Sequence, residues 1–365
     1  MNHIKYNIEL EVITPLSVGA GNENEWLRGA DYLVENDRVY ILDMDKMARL
    51  NINIDKYASL LREKDIKEKG IRDFLPNDLH EISAYEFDLP CDSKNPIKTF
   101  IRSQLHDNPV IPGSSIKGSL RSILYKHLPN DRRYIITEFK KDSDNIMRYL
   151  QVGDVEISVP TVLYNTKVFN LQNNNNHTYW QGGWKDRGRT LKEYNDAEFN
   201  TLYECLQPGT KGQGSLVFPN EEKFFELLRI RNIHELLRIV NTHTSAFLDK
   251  ERHFFETYDQ AEGSGEILEN IEDLLKQIPQ NDNSCIFRMS AGSGFHSITG
   301  DWKYNDYTLD GVRSWTKAEA EKRLCKKKDV GAHKYKSRKV IDCDGQLQLM
   351  GFVKLRILPE KEATK

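Results

Sequence analysis

The sequence predicts an α+β fold. A period-2 strand pattern opens the chain and another closes it. The strongest amphipathic helical patterns lie between them, separated by long polar loops.

Over residues 3–13, Ile4, Tyr6, Ile8, Leu10 and Val12 share one face and Lys5, Asn7, Glu9 and Glu11 the other, the pattern of a strand buried on one side. It runs into "TPLSVGAGNE", where Gly19 and Gly21 free the backbone, and "DYLVENDRVYILD" then reads as a hairpin turning at Asn36 and Asp37. Residues 43–69 read as charged helix ending at Gly70. The stretch through 96, broken by Pro76, Pro90 and Pro96, reads as an irregular connection.

Next, "NPVIPGSSIKGSLRSILYKHLPN" places Ile116, Leu120, Ile123 and Leu124 at i, i+4, i+7 and i+8, the apolar stripe of a helix that Pro129 follows. Ser114 or Ser115 is placed to cap it, and Lys117 and Arg121 lie off the stripe. Strands are expected within "MRYLQVGDVEIS" and "TVLYNTKVFNL". The polar, low-complexity run "QNNNNHTYWQGGWKDRGRT" predicts a mobile loop. "YECLQPGTKGQGSLVF" turns at Pro208 and Gly209 into a short strand, and residues 221–279 are mostly helical. Leu347, Leu349, Gly351, Val353, Leu355 and Ile357 alternate as one closing strand.

With 38% hydrophobic and 29% charged residues, the chain buries a core, and its 365 residues suit about two domains. The formal net charge is −3, so no global positive field marks a nucleic-acid binder, and such activity rests on local patches. One patch holds Lys185, Arg187 and Arg189; the other, residues 321–339, has nine Lys or Arg against two acidic residues. No run of about 18 apolar residues is present, so a cytoplasmic protein without membrane contact is expected. The five cysteines are scattered, which supports neither a disulfide framework nor a zinc ribbon.

Enzyme motifs fail on inspection. In "GSSIKGSL" Ser119 stands where a P-loop needs lysine, and in "HELLR" Arg238 replaces the second zincin ligand after His234. No catalytic residue, metal or cofactor is therefore expected, although His296 in "GSGFHS" is the best-placed base for a metal-free ribonuclease. Three glycine-rich loops at 17–23, 111–119 and 290–300 point instead to backbone amides approaching a polyanion. The middle loop adds a helix start to Gly113, Lys117 and Gly118.

"TPLSVGAGNE", "IPGSSIKGSLRSIL", "LQVGD" and "GSGFHSITG" together resemble the RAMP superfamily of CRISPR-associated proteins. Their order, the helical "IHELLRIVNTHTSAFLDKE" and the chain length are most similar to the fifth subunit of the type III-A (Csm) effector complex. The resemblance implies two RRM-like, ferredoxin-like domains. One spans 1–170 with an insertion at about 43–96; a flexible polar loop fills 171–196; the other spans 197–365 with a helical insertion at about 221–279. It implies a non-catalytic subunit that caps the filament at the crRNA 3′ end and assists crRNA maturation. Its partners would be crRNA, the backbone RAMP subunit and other Csm subunits, and host ribonucleases. A crRNA-processing RAMP endoribonuclease and another backbone subunit are the alternatives. RNA contact is expected at Gly19, Gly21, Gly113, Ser114, Ser115, Lys117, Gly118, Arg121, Lys185, Arg187, Arg189, Gly292, Ser293, Gly294, Phe295 and His296. No RNP1 pattern is present, so stacking of bases on sheet aromatics is not expected.

Overall fold

The computed structural model describes residues 3–19, 25–62, 68–137, 145–173, 180–289 and 337–359. Eight elements carry the architecture: β1 (Ile4–Val12), α1 (Gly113–His127), β2 (Val162–Asn173), β3 (Lys211–Phe218), α2 (Ile233–Thr257), α3 (Ser264–Gln277), β4 (Ser284–Arg288) and β5 (Phe352–Ile357).

A five-stranded antiparallel sheet runs in the order β4, β5, β1, β3 and Gln151–Val152. β1 is central, with Glu11 opposite Lys211 on one side and Leu10 opposite Leu355 on the other. Ile8, Leu10 and Val12 are buried beneath α1, whose Ile116, Leu120, Ile123 and Leu124 all reach the core, as the stripe predicts. Each such side chain contributes roughly 1.5–3 kcal/mol by leaving water.

A second, eight-stranded sheet is built on β2, which pairs with Thr201–Cys205 and Trp180–Asp186 on one side and Arg338–Cys343 on the other. Phe169, Trp184 and Val340 from this sheet meet Phe254 and Phe255 of α2 and Ile267 and Ile271 of α3. At 25 residues, α2 is about 37 Å long and serves both cores: Leu236, Leu237 and Val240 enter the first, Leu248, Phe254 and Phe255 the second.

The predicted hairpin is present as Tyr32–Glu35 and Arg38–Leu42, with Asn36 and Asp37 both at positive φ. Residues 43–69 form separate helices, Met44–Arg49 and Ile54–Arg62, and a further helix, Glu68–Arg72, runs through Gly70 instead of ending there. The stretch expected to be irregular contains the strand Ser83–Asp88, because Arg38–Leu42 needs a second partner and finds it there.

Two further expectations are corrected. Residues 180–191, expected within a flexible loop, form the strands Trp180–Asp186 and Arg189–Leu191. Trp184 is only 2% exposed, packed edge-on against Phe169 and Tyr194 with its indole N–H on the Glu262 carbonyl. The closing strand is two strands, Gln346–Gln348 and β5, in different sheets, since Gly351 takes a φ of +93° between them. The five-stranded sheet draws on residues 4–12, 151–152, 211–218, 284–288 and 352–357, so chain on both sides of 171–196 builds it.

Candidate nucleic-acid interface

The first two glycine loops lie on one ladder. Gly19 bridges to Phe100, Ile101 donates to the Val18 carbonyl, Val110 donates to the Ile101 carbonyl, and Ile111 pairs with Val155 just before α1 begins. Met289, the last described residue before the third loop, donates to the Gly351 carbonyl at 2.7 Å, and Gly351 donates to the Pro15 carbonyl at 2.9 Å. Gly21 and Gly292, Ser293, Gly294, Phe295 and His296 lie outside the described residues, as does the basic run before Ser337.

Pro112, not a serine, is the N-cap of α1, and Ser114 and Ser115 sit inside its first turn without a side-chain cap bond. Proline sets an extended residue there, and Ser115 and Ile116 return their N–H groups to the Pro112 carbonyl. Asp154, from the "VGD" segment, accepts the Gly113 N–H at 2.7 Å, the place a helix start offers an anion. Gly113 has a packing reason as well, since a Cβ there would stand 2.0 Å from the Val152 carbonyl oxygen. Gly118 is the opposite case. A Cβ there would meet nothing within 4 Å, so α1 bares its backbone one turn in.

Lys117 and Arg121 flank this opening, and partial burial lowers the pKa of each from its ordinary value. Arg121 is not simply solvated, because its guanidinium donates to the Ile136 carbonyl at 3.3 Å. Lys185, Arg187 and Arg189 belong to the eight-stranded sheet, whereas α1 covers the five-stranded one. Lys185 lies 4.7 Å over the Phe199 ring, Arg189 is 3.8 Å from Asp186, and Arg187 occupies an exposed turn.

Sequence reading missed a polar seam between α1 and α2. Ser119, Ser122 and Lys126 of α1 face His243, Thr244 and Arg288 around a void of about 20 Å³. Their i, i+3, i+7 spacing along α1 is the signal that could have found it. Burial, with Lys126 and Lys250 near, pushes the His243 pKa down to about 3. Burial also lowers Arg288 to about 10, with Glu251 opposing and Arg338 adding to that shift. Arg338 itself donates to Glu251 at 2.6 Å. The polar face of β1 carries Glu9, paired with Arg356 at 2.8 Å, and Glu11, 3.8 Å from Lys211. No aromatic residue lies on that face of β1, in keeping with the missing RNP1 pattern.

A family model described as the RAMP superfamily matches residues 9–295. The chain belongs to the RAMP superfamily. Its fold is similar to a chain of the Csm–crRNA–target RNA ternary complex of a type III-A CRISPR–Cas system, with a TM-score of 0.63 and 18% identity over 97% of this chain and 100% of that one. It is also similar to Csm5 of T. onnurineus, with a TM-score of 0.54 and 16% identity over 96% of this RAMP chain and 100% of that one. No curated protein matches the sequence. Among the described residues, no helix of this RAMP protein is long and apolar enough to cross a membrane.

Proposed function

We propose that this chain is a non-catalytic RNA-binding subunit of a type III-A CRISPR surveillance complex, seated at the crRNA 3′ end of the filament and assisting crRNA maturation. The observation that carries the reading is the end-to-end likeness of fold to T. onnurineus Csm5, 96% of this chain over all of that one. In this reading crRNA backbone passes α1 at Gly118, where no side chain stands in the way, and Lys117 neutralises a phosphate. The partners are crRNA and the backbone RAMP subunit, with host ribonucleases trimming the RNA. Two sheets, each with helices packed on it, support two RRM-like units interleaved along the chain, not placed one after the other.

The test is crRNA binding and assembly with the other Csm subunits by the parent and by Lys117→Glu, with Arg121 left intact because it bonds Ile136. One lost phosphate contact to single-stranded RNA lowers the log-log salt slope by about 0.7. Assembly and slope equal to the parent would remove α1 from the interface. A defined product from repeat RNA incubated with the isolated protein would overturn the non-catalytic assignment.

A further inference from the structure

At the N-terminal end of β2, three parts of the chain converge on an open cavity of about 520 Å³. The three-stranded sheet contributes Arg38, Glu86 and Asp88; β2 contributes Val162 to Asn165; the turn after Arg338–Cys343 contributes Asp344 and Gly345. Asp196 and Asp342 complete a wall of five carboxylates.

Among the described residues Arg38 is the one cation lining it, and it is already engaged, 3.7 Å from Glu86 and 4.0 Å from Asp88. Asp196, Asp342 and Asp344 form no salt bridge among the described residues. Lys167 is buried nearby and interacts electrostatically with Asp196, yet even counting it with Arg38 the five carboxylates outnumber the two cations.

An independent observation singles out the same place. Asn165 lines the cavity and is only 2% exposed; its amide N–H donates to the Asp196 carbonyl at 3.0 Å, yet its Oδ1 accepts nothing. A buried acceptor without a donor is costly to leave unmet, and apart from Arg38 the charged groups lining the cavity are all acceptors, although Asp342 already accepts from the Tyr194 hydroxyl at 3.1 Å and the Gly345 N–H at 2.9 Å. The complementary ligand therefore brings donors and positive charge and nothing else, which describes an ammonium or a guanidinium. Pro90, Pro160 and Tyr164 add apolar wall, which suits the methylene stem of such a group. A bare metal ion fits poorly, because no three His, Cys, Asp or Glu side chains among the described residues are grouped to hold one.

We infer that this cavity binds an aliphatic organic cation through a primary ammonium or guanidinium group, supplied as a free polyamine or as a lysine or arginine side chain of a partner protein.

The experiment uses RNA-free full-length protein at physiological salt, titrated calorimetrically with spermidine, with a tri-lysine peptide and with magnesium chloride. It compares the parent with an Asp196→Asn/Asp344→Asn variant; both positions are exposed, so the fold is retained, and thermal melting without ligand checks this. Saturable binding at one site per chain, weakened tenfold or more in the variant, is the expected result. Spermidine binding without tri-lysine binding identifies a free polyamine as the source, and tighter tri-lysine binding identifies a protein side chain. Unsaturable binding, equal binding by parent and variant, or displacement of both probes by equimolar magnesium would overturn the assignment.

Discussion

Ile286 of β4 donates its backbone N–H to the carboxamide oxygen of Asn241, on α2, at 3.0 Å. The same carboxamide donates to the Ser284 carbonyl at 3.0 Å, and one turn later Thr244 donates to the Ile286 carbonyl at 2.6 Å. β4 is an edge strand, and α2 supplies the ladder bonds a neighbouring strand would have made. Asn241→Leu leaves two buried backbone groups without partners, so a loss of roughly 1–3 kcal/mol for each is expected in denaturant titration. Thr244→Val, which removes one bond, has the smaller effect.

Glu204 is fully buried and takes three donors: the Arg102 guanidinium, the Thr161 hydroxyl at 2.6 Å and the Phe100 N–H at 2.7 Å. It ties the segment 100–102, which bridges to Gly19, to the strand Thr201–Cys205 of the eight-stranded sheet. Removing it by Glu204→Ala strands a mostly buried arginine, with an expected loss of about 3–5 kcal/mol. Replacing both partners, Arg102→Met with Glu204→Leu, restores much of this, and a melting curve of the double variant as low as that of Glu204→Ala would refute the pairing.

Acid stability reports on His243. Its pKa falls from the ordinary 6.5 to about 3 in the folded chain, chiefly through burial and then through Lys126 and Lys250. Below pH 6.5 the unfolded chain binds a proton that the folded chain refuses. Stability therefore declines as pH falls from 6.5 toward 3, by up to about 1.4 kcal/mol per pH unit. His243→Leu should flatten that slope in urea titrations run at several pH values.

Gly113 and Gly118 should answer alanine oppositely. At Gly113 the new Cβ meets the Val152 backbone, and a loss of roughly 1–3 kcal/mol is expected. At Gly118 the space is open, and alanine's better helix propensity raises stability by up to about 1 kcal/mol. Thermal melting of the two variants side by side reads both.

β1 and α1 are legible in the sequence because each buries one face and exposes the other, so periodicity and burial agree. The strand at 180–186 is not legible, because its packing depends on the absence of side chains. A Cβ on Gly182 would lie 2.8 Å from the Phe169 ring and from Tyr258, and one on Gly183 would lie 2.0 Å from the Leu191 carbonyl. Two glycines and one tryptophan thus make core out of a polar run. The break at Gly351 is hidden for the reverse reason: alternation continues across it although the strands belong to different sheets. Of the candidate site, Lys117 and Gly118 follow from local pattern. Asp154 and the His243 seam depend on how distant segments meet, which no window of sequence records.

The central place of β1 also sets an order of events at the ribosome. Its two neighbours are residues 211–218 and 352–357, so during synthesis this strand must wait until residues 211–218 are made before either flank is covered. Contacts of such long sequence separation form slowly, and a nascent chain holding a bare amphipathic strand is open to strand exchange with its neighbours on a polysome. A chaperone that engages the emerging chain has its strongest reason to do so at residues 4–12, and to let go only when β5 arrives.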